Sequence, residues 1–179
     1  MAKPFVVEVG NLMRSPGSQK RAERAGRLAG LAVLGVRVPP EAEVSVDLAL
    51  EAMDGRSLVA RGTVATAWAA ECSRCLRPIR GEVVTEVREL FEDPVALGNE
   101  ADGSTAGDEE IYPLHGEQVD LEPLARDAIL LALPPAPLCA EDCAGLCPVC
   151  GADRNDAECG CDTTVRDERW AALDALKDI

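Results

Sequence analysis

Cysteine is the residue type in this chain with the most chemistry to offer. Six of the eight cysteines lie between Cys139 and Cys161, in the run CAEDCAGLCPVCGADRNDAECGC, and the other two form the pair Cys72-Ser73-Arg74-Cys75. Thiolates are soft ligands, and eight of them make two tetrahedral sites of four. Two cysteines separated by two residues can fold as a knuckle whose backbone N–H groups point at the sulfurs and stabilise their charge. Cys147-Pro148-Val149-Cys150-Gly151 fits such a turn, because the proline restricts the backbone and the glycine admits a positive φ. Cys159-Gly160-Cys161 can close the same site. The expected partition is therefore Cys72/Cys75/Cys139/Cys143 for one ion and Cys147/Cys150/Cys159/Cys161 for the other, with two Zn2+ as the cofactors.

Three other readings of the thiols compete with zinc. Disulfides also use an even cysteine count, but they belong to secreted chains, and no signal peptide is visible here. A redox-active pair needs a thioredoxin-like strand and helix around it, whereas Cys72 ends a strand and enters a hairpin. An iron–sulfur cluster is compatible with the thiolate spacing. Zinc in a structural role is favoured, since an all-sulfur site leaves no open position for water.

The elements that must hold these ligands are mostly strands. Phe5 to Val9 is β-like, and Ser15-Pro16-Gly17-Ser18 breaks it. Ser18 to Leu28 is polar and basic and reads as a short helix or a mobile arm. Leu31 to Val38 is apolar and stops at Pro39-Pro40. In the next stretch Val44, Val46, Leu48 and Leu50 alternate with Ser45, Asp47, Ala49 and Glu51, the period of a half-buried strand. Asp54-Gly55 reads as a hairpin turn. Ser57 to Glu71 returns as a second strand whose small centre (Ala60, Gly62, Ala65, Ala67) implies a close neighbour, with Trp68 in the core. Glu82 to Glu92 is the third strand, with Val83, Val87 and Phe91 on one face.

Residues 98–108 have almost no apolar content and are expected to be a disordered acidic loop, within a stretch from Glu89 to Glu122 that has no Lys or Arg. A helix is expected over 120–132, with Asp120 as its cap and Leu121, Leu124, Ile129 and Leu131 as its apolar stripe. Pro134, Pro135 and Pro137 end it. A last short helix capped by Asp167 places Trp170, Leu173 and Leu176 on one side. The expected fold class is α+β, an antiparallel β-meander packed with one or two short helices, plus a C-terminal cysteine-rich zinc-knuckle region. The expected segments are 1–40 (basic N-terminal arm and first strands), 41–134 (sheet, acidic loop and helix) and 135–179 (zinc-binding region and C-terminal helix).

At 179 residues with 3% aromatics, the core must be aliphatic, and metal would offset that weakness. The net charge is −14. Residues 1–40 carry seven basic side chains against Glu8 and Glu23, and that excess leaves the rest of the chain at −19. The arm, with Lys20, Arg21, Arg24 and Arg27, either touches RNA or folds back onto the acidic body. Arg74, Arg77 and Arg80 surround the first metal site as a second positive spot, either balancing the thiolates or meeting a partner. No segment is long and apolar enough for a membrane, so a cytoplasmic protein with reduced thiols is expected.

Four stretches together resemble a known family: Cys72 to Pro78 (CSRCLRP), Asp120 to Pro134 (DLEPLARDAILLALP), Leu138 to Gly151 (LCAEDCAGLCPVCG) and Asp167 to Trp170 (DERW). They look like the YceD family, the large ribosomal RNA subunit accumulation proteins of bacteria and plastids. The resemblance implies a role in producing or stabilising 23S ribosomal RNA, and the family has no assigned catalytic residues. It makes the chain a non-enzymatic, zinc-stabilised binding module for a large-subunit ribosomal protein, an assembly factor or precursor 23S rRNA. An acidic body favours a basic protein partner. The competing classes are a zinc-ribbon transcription adaptor and a thiol or zinc enzyme acting on RNA. Against the enzyme, His115 is the single histidine and is expected to be solvated, and no nucleophile–base set or H-E-x-x-H motif is present.

Overall fold

Val44, Val46, Leu48, Leu50 and Ala52 are essentially inaccessible to water, while the residues between them face outward. This strand lies between the strands Gln19–Gly26 and Ser57–Glu71, next to one end of the sheet. The computed structural model describes residues 3–93, 111–162 and Arg169. Its elements in chain order are β1 (Val6–Glu8), α1 (Gly10–Met13), β2 (Gln19–Gly26), β3 (Ala32–Val33), β4 (Val36–Arg37), β5 (Val44–Ala52), β6 (Ser57–Glu71), β7 (Pro78–Glu92), β8 (Tyr112–His115), β9 (Gln118–Asp120) and α2 (Glu122–Ala132). The fold is thus mostly β, with two short helices among the described residues.

The strands β5, β6 and β7 are consecutive antiparallel neighbours, and β2 pairs with the outer side of β5. Asp54 fixes the β5–β6 turn, its Oδ1 accepting from the N–H groups of Arg56 and Ser57 and from the Ser57 hydroxyl. Gly55 supplies the positive φ of 80°. The sheet is not purely antiparallel, because β8 lies parallel to the end of β7 through Phe91↔Tyr112 and Glu92↔Pro113. From β8 the order continues to β9 and β1. The tiny hairpin β3–β4 joins β6 beyond β5, through Arg37↔Ala69. Its two turn residues, Leu34 and Gly35, have φ of 48° and 86°, the mirror-image turn that suits strand twist.

The expectation of a helix or mobile arm over 18–28 is corrected by β2, which pairs residue for residue with β5 from Gln19↔Glu51 to Gly26↔Val44. Only Ala22 is a buried apolar residue on its inner side, so the alternation that marks a strand is missing from the sequence. The other inward positions hold Gly26, against Pro4 and Phe5, and the cations Lys20 and Arg24. Their ends reach across to β1, donating to the Glu8 carbonyl at 2.8 Å and the Val6 carbonyl at 3.5 Å. Cations at this place satisfy carbonyl groups that β1 leaves unpaired, and they draw the two ends of the sheet together.

The core is aliphatic apart from Phe5, Phe91 and the ring of Tyr112, which lies 5.3 Å from that of Phe91. Each buried Leu or Val contributes about 1.5–3 kcal/mol. The close neighbour implied by the small centre of β6 is the backbone of β5: a Cβ on Gly62 would lie 2.1 Å from the Asp47 carbonyl oxygen. Trp68 is half-buried and packs against the core, its ring over Gly81.

The helix α2 begins at Glu122 rather than at 120, with Leu121 in the cap position. Asp120 belongs to β9, and its carboxylate accepts the Glu122 N–H at 3.0 Å. Leu121, Leu124, Ala125 and Ile129 are buried, but Leu131 is 88% exposed and is not part of the stripe. The helical period explains this: a stripe through Leu124, Ala125 and Ile129 turns position 131 to the helix flank. The acidic loop 98–108 and the last helix, with Asp167, Trp170, Leu173 and Leu176, lie outside the described residues.

Candidate metal centres

β6 and β7 run on as a long hairpin whose tip is Cys72 to Arg77. Within that tip the Leu76 N–H donates to the Cys72 carbonyl at 2.9 Å, and the Cys72 N–H to the Arg77 carbonyl at 2.8 Å. The same two bonds recur in the second pair, from Gly151 to Cys147 at 2.9 Å and from Cys147 to Ala152 at 2.8 Å. Both turns end in a left-handed residue, Leu76 at φ 62° and Gly151 at φ 74°. One local geometry therefore serves both C-x-x-C pairs, and glycine occupies its left-handed position only in the second.

These turns bring the eight sulfurs into two groups of four, Cys72/Cys75/Cys139/Cys143 and Cys147/Cys150/Cys159/Cys161, with the sulfurs of each group within 4.8 Å of one another. In the first group Cys72 and Cys143 stand 3.8 Å apart, and Cys75 and Cys139 3.6 Å. Those separations are edges of a tetrahedron whose centre lies about 2.3 Å from each sulfur, the zinc–thiolate bond length. They are well beyond the roughly 2.05 Å of a disulfide. The donor set and its spacing thus fit a tetrahedral ion such as zinc, and iron takes the same ligands.

The electrostatics divide each group. The backbone N–H groups of Cys75 and Arg74 point at the Cys72 sulfur and, outweighing burial, hold its thiol down at about 6. Those of Cys150 and Val149 do the same for Cys147, also at about 6. Opposite them, the sulfurs of Cys143 and Cys75 push Cys139 up to about 12, and those of Cys150 and Cys159 push Cys161 up to about 12. For Cys75 the Arg77 N–H pulls the thiol down, but burial and the neighbouring sulfurs raise it overall. Each site thus has one preformed thiolate and at least one thiol that must give up its proton to a metal.

The surroundings of the two sites differ. Cys72, Cys75 and Cys143 are buried with Ile79, Leu138 and Leu146 in a small apolar cluster of their own, and Ile79 also packs on the main core. The fourth cysteine of that group, Cys139, is exposed; in the second group only Cys147 is buried, and Cys150 is exposed. The expected positive spot is largely used within the molecule. Arg74 donates to the Cys143 carbonyl at 2.9 Å, and Arg77 bridges the two sites by pairing with Asp153 at 2.9 Å and Asp156 at 2.5 Å. Arg80 has no ion pair among the described residues. In the basic segment Arg21 pairs with Asp47 and Glu23, Lys20 and Arg24 reach β1, and Arg27 is exposed. His115 is exposed on β8.

Asn155 was not legible as a site residue. Its side-chain N–H donates to the Cys143 sulfur at 3.4 Å, while its oxygen accepts the Ala144 N–H at 2.8 Å. Asp153 turns it into place by accepting its backbone N–H at 2.9 Å. The Asp153-Arg154-Asn155 spacing, typical of side chains that fold back on their own backbone, is the signal that could have found it.

Fold and sites together define, among the described residues, a mostly β half-barrel with two short helices and two four-cysteine centres positioned to bind metal ions. The chain belongs to the family described as "Large ribosomal RNA subunit accumulation protein YceD", whose model matches residues 60–177. That span takes in both cysteine groups. Among curated relatives, the Mycobacterium tuberculosis "Uncharacterized protein Rv2926c" and the Mycobacterium bovis "Uncharacterized protein Mb2951c" are each 34% identical over 174 residues, covering 97% of this chain and 81% of the relative. The Mycobacterium leprae "Uncharacterized protein ML1660" is 33% identical over 155 residues, covering 84% of this chain and 68% of its own length. No solved structure matches the chain. No helix among the described residues is long and apolar enough to cross a membrane.

Proposed function

We propose that this chain is a non-catalytic binding module of the cytoplasm that supports accumulation of 23S rRNA in the large ribosomal subunit, with one zinc ion in each cysteine group. The observation that carries the reading is the first group, in which the hairpin tip supplies Cys72 and Cys75 and the C-terminal third supplies Cys139 and Cys143. An ion there ties two distant parts of the chain into one rigid surface, and four thiolates leave it no open position for substrate. Family membership supplies the ribosomal context. A large-subunit ribosomal protein or an assembly factor is favoured as partner over precursor rRNA. The net charge is −14, and most cations of the two basic segments are engaged within the molecule.

The test is metal analysis of protein purified without added zinc, together with co-purification from cells. Two zinc ions per chain with large-subunit precursor material is the expected result. A reduced, metal-free chain that melts as high as the purified protein would remove the metal from the account. An RNA complex that weakens steeply with salt would move the partner from protein to RNA.

A further inference from the structure

Strand β7 is paired with β6 along its whole length, from Pro78↔Glu71 to Glu92↔Ser57. On its other side β8 reaches only Phe91 and Glu92. Among the described residues, no strand pairs with this second edge between Pro78 and Leu90. Which backbone groups face it follows from the ladder. In an antiparallel pair, alternate residues bond to opposite sides. The bonds from Cys72 N–H to the Arg77 carbonyl and from Asp93 N–H to the Arg56 carbonyl extend the ladder past both ends. They mark the odd-numbered residues of β7 as bonded to β6. Arg80, Glu82, Val84, Glu86 and Arg88 therefore direct their N–H and C=O groups outward.

Proteins usually blunt such an edge with an internal proline, a bulge, a short strand or edge charges. Of these β7 has only the charges Arg80, Glu82, Glu86 and Arg88, which admit a strand of complementary charge. In β7 the proline is at the first position, and the register with β6 is unbroken. Beside the edge lies a cavity of about 260 Å³ between β7 and α2, its wall apolar at Val87, Leu124 and Leu131 and acidic at Glu86, Glu89 and Asp127. Leu131, 88% exposed, stands at its rim. An open row of backbone groups next to a groove with an apolar side is the arrangement that captures an extended peptide: the backbone supplies affinity, and the groove selects alternate side chains.

The outward side chains specify the partner. Arg80, Glu82, Val84, Glu86 and Arg88 run positive, negative, apolar, negative, positive, and none of the four charges is in an ion pair among the described residues. A second copy of the strand centred on Val84 would set Arg80 against Arg88 and Glu82 against Glu86. The adjacent registers that instead pair an arginine with a glutamate set Val84 against Glu82 or Glu86, so none of these registers matches every position. We propose that the free edge of β7 is a strand-addition site for an extended segment of a different protein. In that segment basic residues oppose Glu82 and Glu86, acidic residues oppose Arg80 and Arg88, and an apolar side chain on the other face enters the groove at Leu131. The site gives the binding module proposed above its contact surface and rests on that reading. It requires neither a particular metal nor ribosomal material, so the two can fail separately.

The probe is a nine-residue peptide with aspartate, lysine, leucine, lysine and aspartate at alternate positions and threonine or valine between them, titrated into the full, metal-loaded chain. Amide exchange followed by NMR should show fast Glu82, Val84 and Glu86 amides in the free protein and slow ones with peptide. Val84→Pro removes an outward N–H that β6 does not use. It should weaken binding by about tenfold or more, while Val84→Thr binds as the parent does. Leu131→Glu, at an exposed position, should weaken it as well. Equal binding by Val84→Pro, equal binding of a peptide with its charges exchanged, or the absence of binding would overturn the proposal. So would even-numbered amides already slow in the free monomer, or a dimer that Val84→Pro dissolves.

Discussion

At the residue scale, the two C-x-x-C turns share their hydrogen bonds but not their left-handed residue, which is Gly151 in one and Leu76 in the other. A side chain at positive φ is strained, and a β-branched one more so. Leu76→Val should therefore be less stable than Leu76→Gly by about 1–2 kcal/mol in denaturant titrations of the metal-loaded protein. The thiols allow a second expectation. In the metal-free chain near pH 8, Cys72 and Cys147, held at about 6, are thiolates, while Cys75, Cys139 and Cys161, all raised, keep their protons. Metal uptake must expel at least those protons, so affinity rises with pH above about 6. Titration calorimetry in buffers of different ionisation heat should register the release. For the metal-free fold the sign follows from lowered values: the stability contributed by Cys72 and Cys147 is present above the ordinary thiol range and is lost as pH falls through about 6.

At the element scale, the β5–β6 pair tolerates no side chain at Gly62, where a Cβ would sit 2.1 Å from a backbone oxygen. Gly62→Ala should cost more than about 2 kcal/mol, because the obstacle is a strand rather than a flexible side chain. Thermal melts compared with Ala65→Gly in the same strand would measure it. The strand β5 was readable directly, since every second residue is apolar and Asp54-Gly55 follows. The neighbouring β2 was not, because Lys20 and Arg24 occupy inward positions and find their partners in carbonyls of β1 and, for Arg24, that of Glu23. The start of α2 was misplaced for a similar reason. Asp120 makes a cap-like bond to the Glu122 N–H, yet its own backbone is in β9.

At the scale of the whole molecule, the two sites should behave differently under chelation. The second group has an exposed Cys150 and partly exposed Cys159 and Cys161, whereas in the first only Cys139 is exposed and Cys72, Cys75 and Cys143 are covered by Ile79, Leu138 and Leu146. A chelator should remove one metal quickly with little change in the melt of the sheet and the other slowly, with a drop on the order of 10 °C. Cys159→Ser and Cys72→Ser should reproduce the two effects separately, read by metal content and melting temperature. The spacing of Cys147, Cys150, Cys159 and Cys161 marks the second group by itself, since four ligands so close in the chain can meet only locally. The period of β5 and the apolar stripe of α2 were also encoded locally, in side chains that repeat with the backbone geometry. The tertiary structure alone decided how Arg77 joins the two sites, how β2 closes on β1 and which edge of β7 stays open. Each of these depends on what a residue far away in the chain covers, and a run of neighbouring residues holds no record of that.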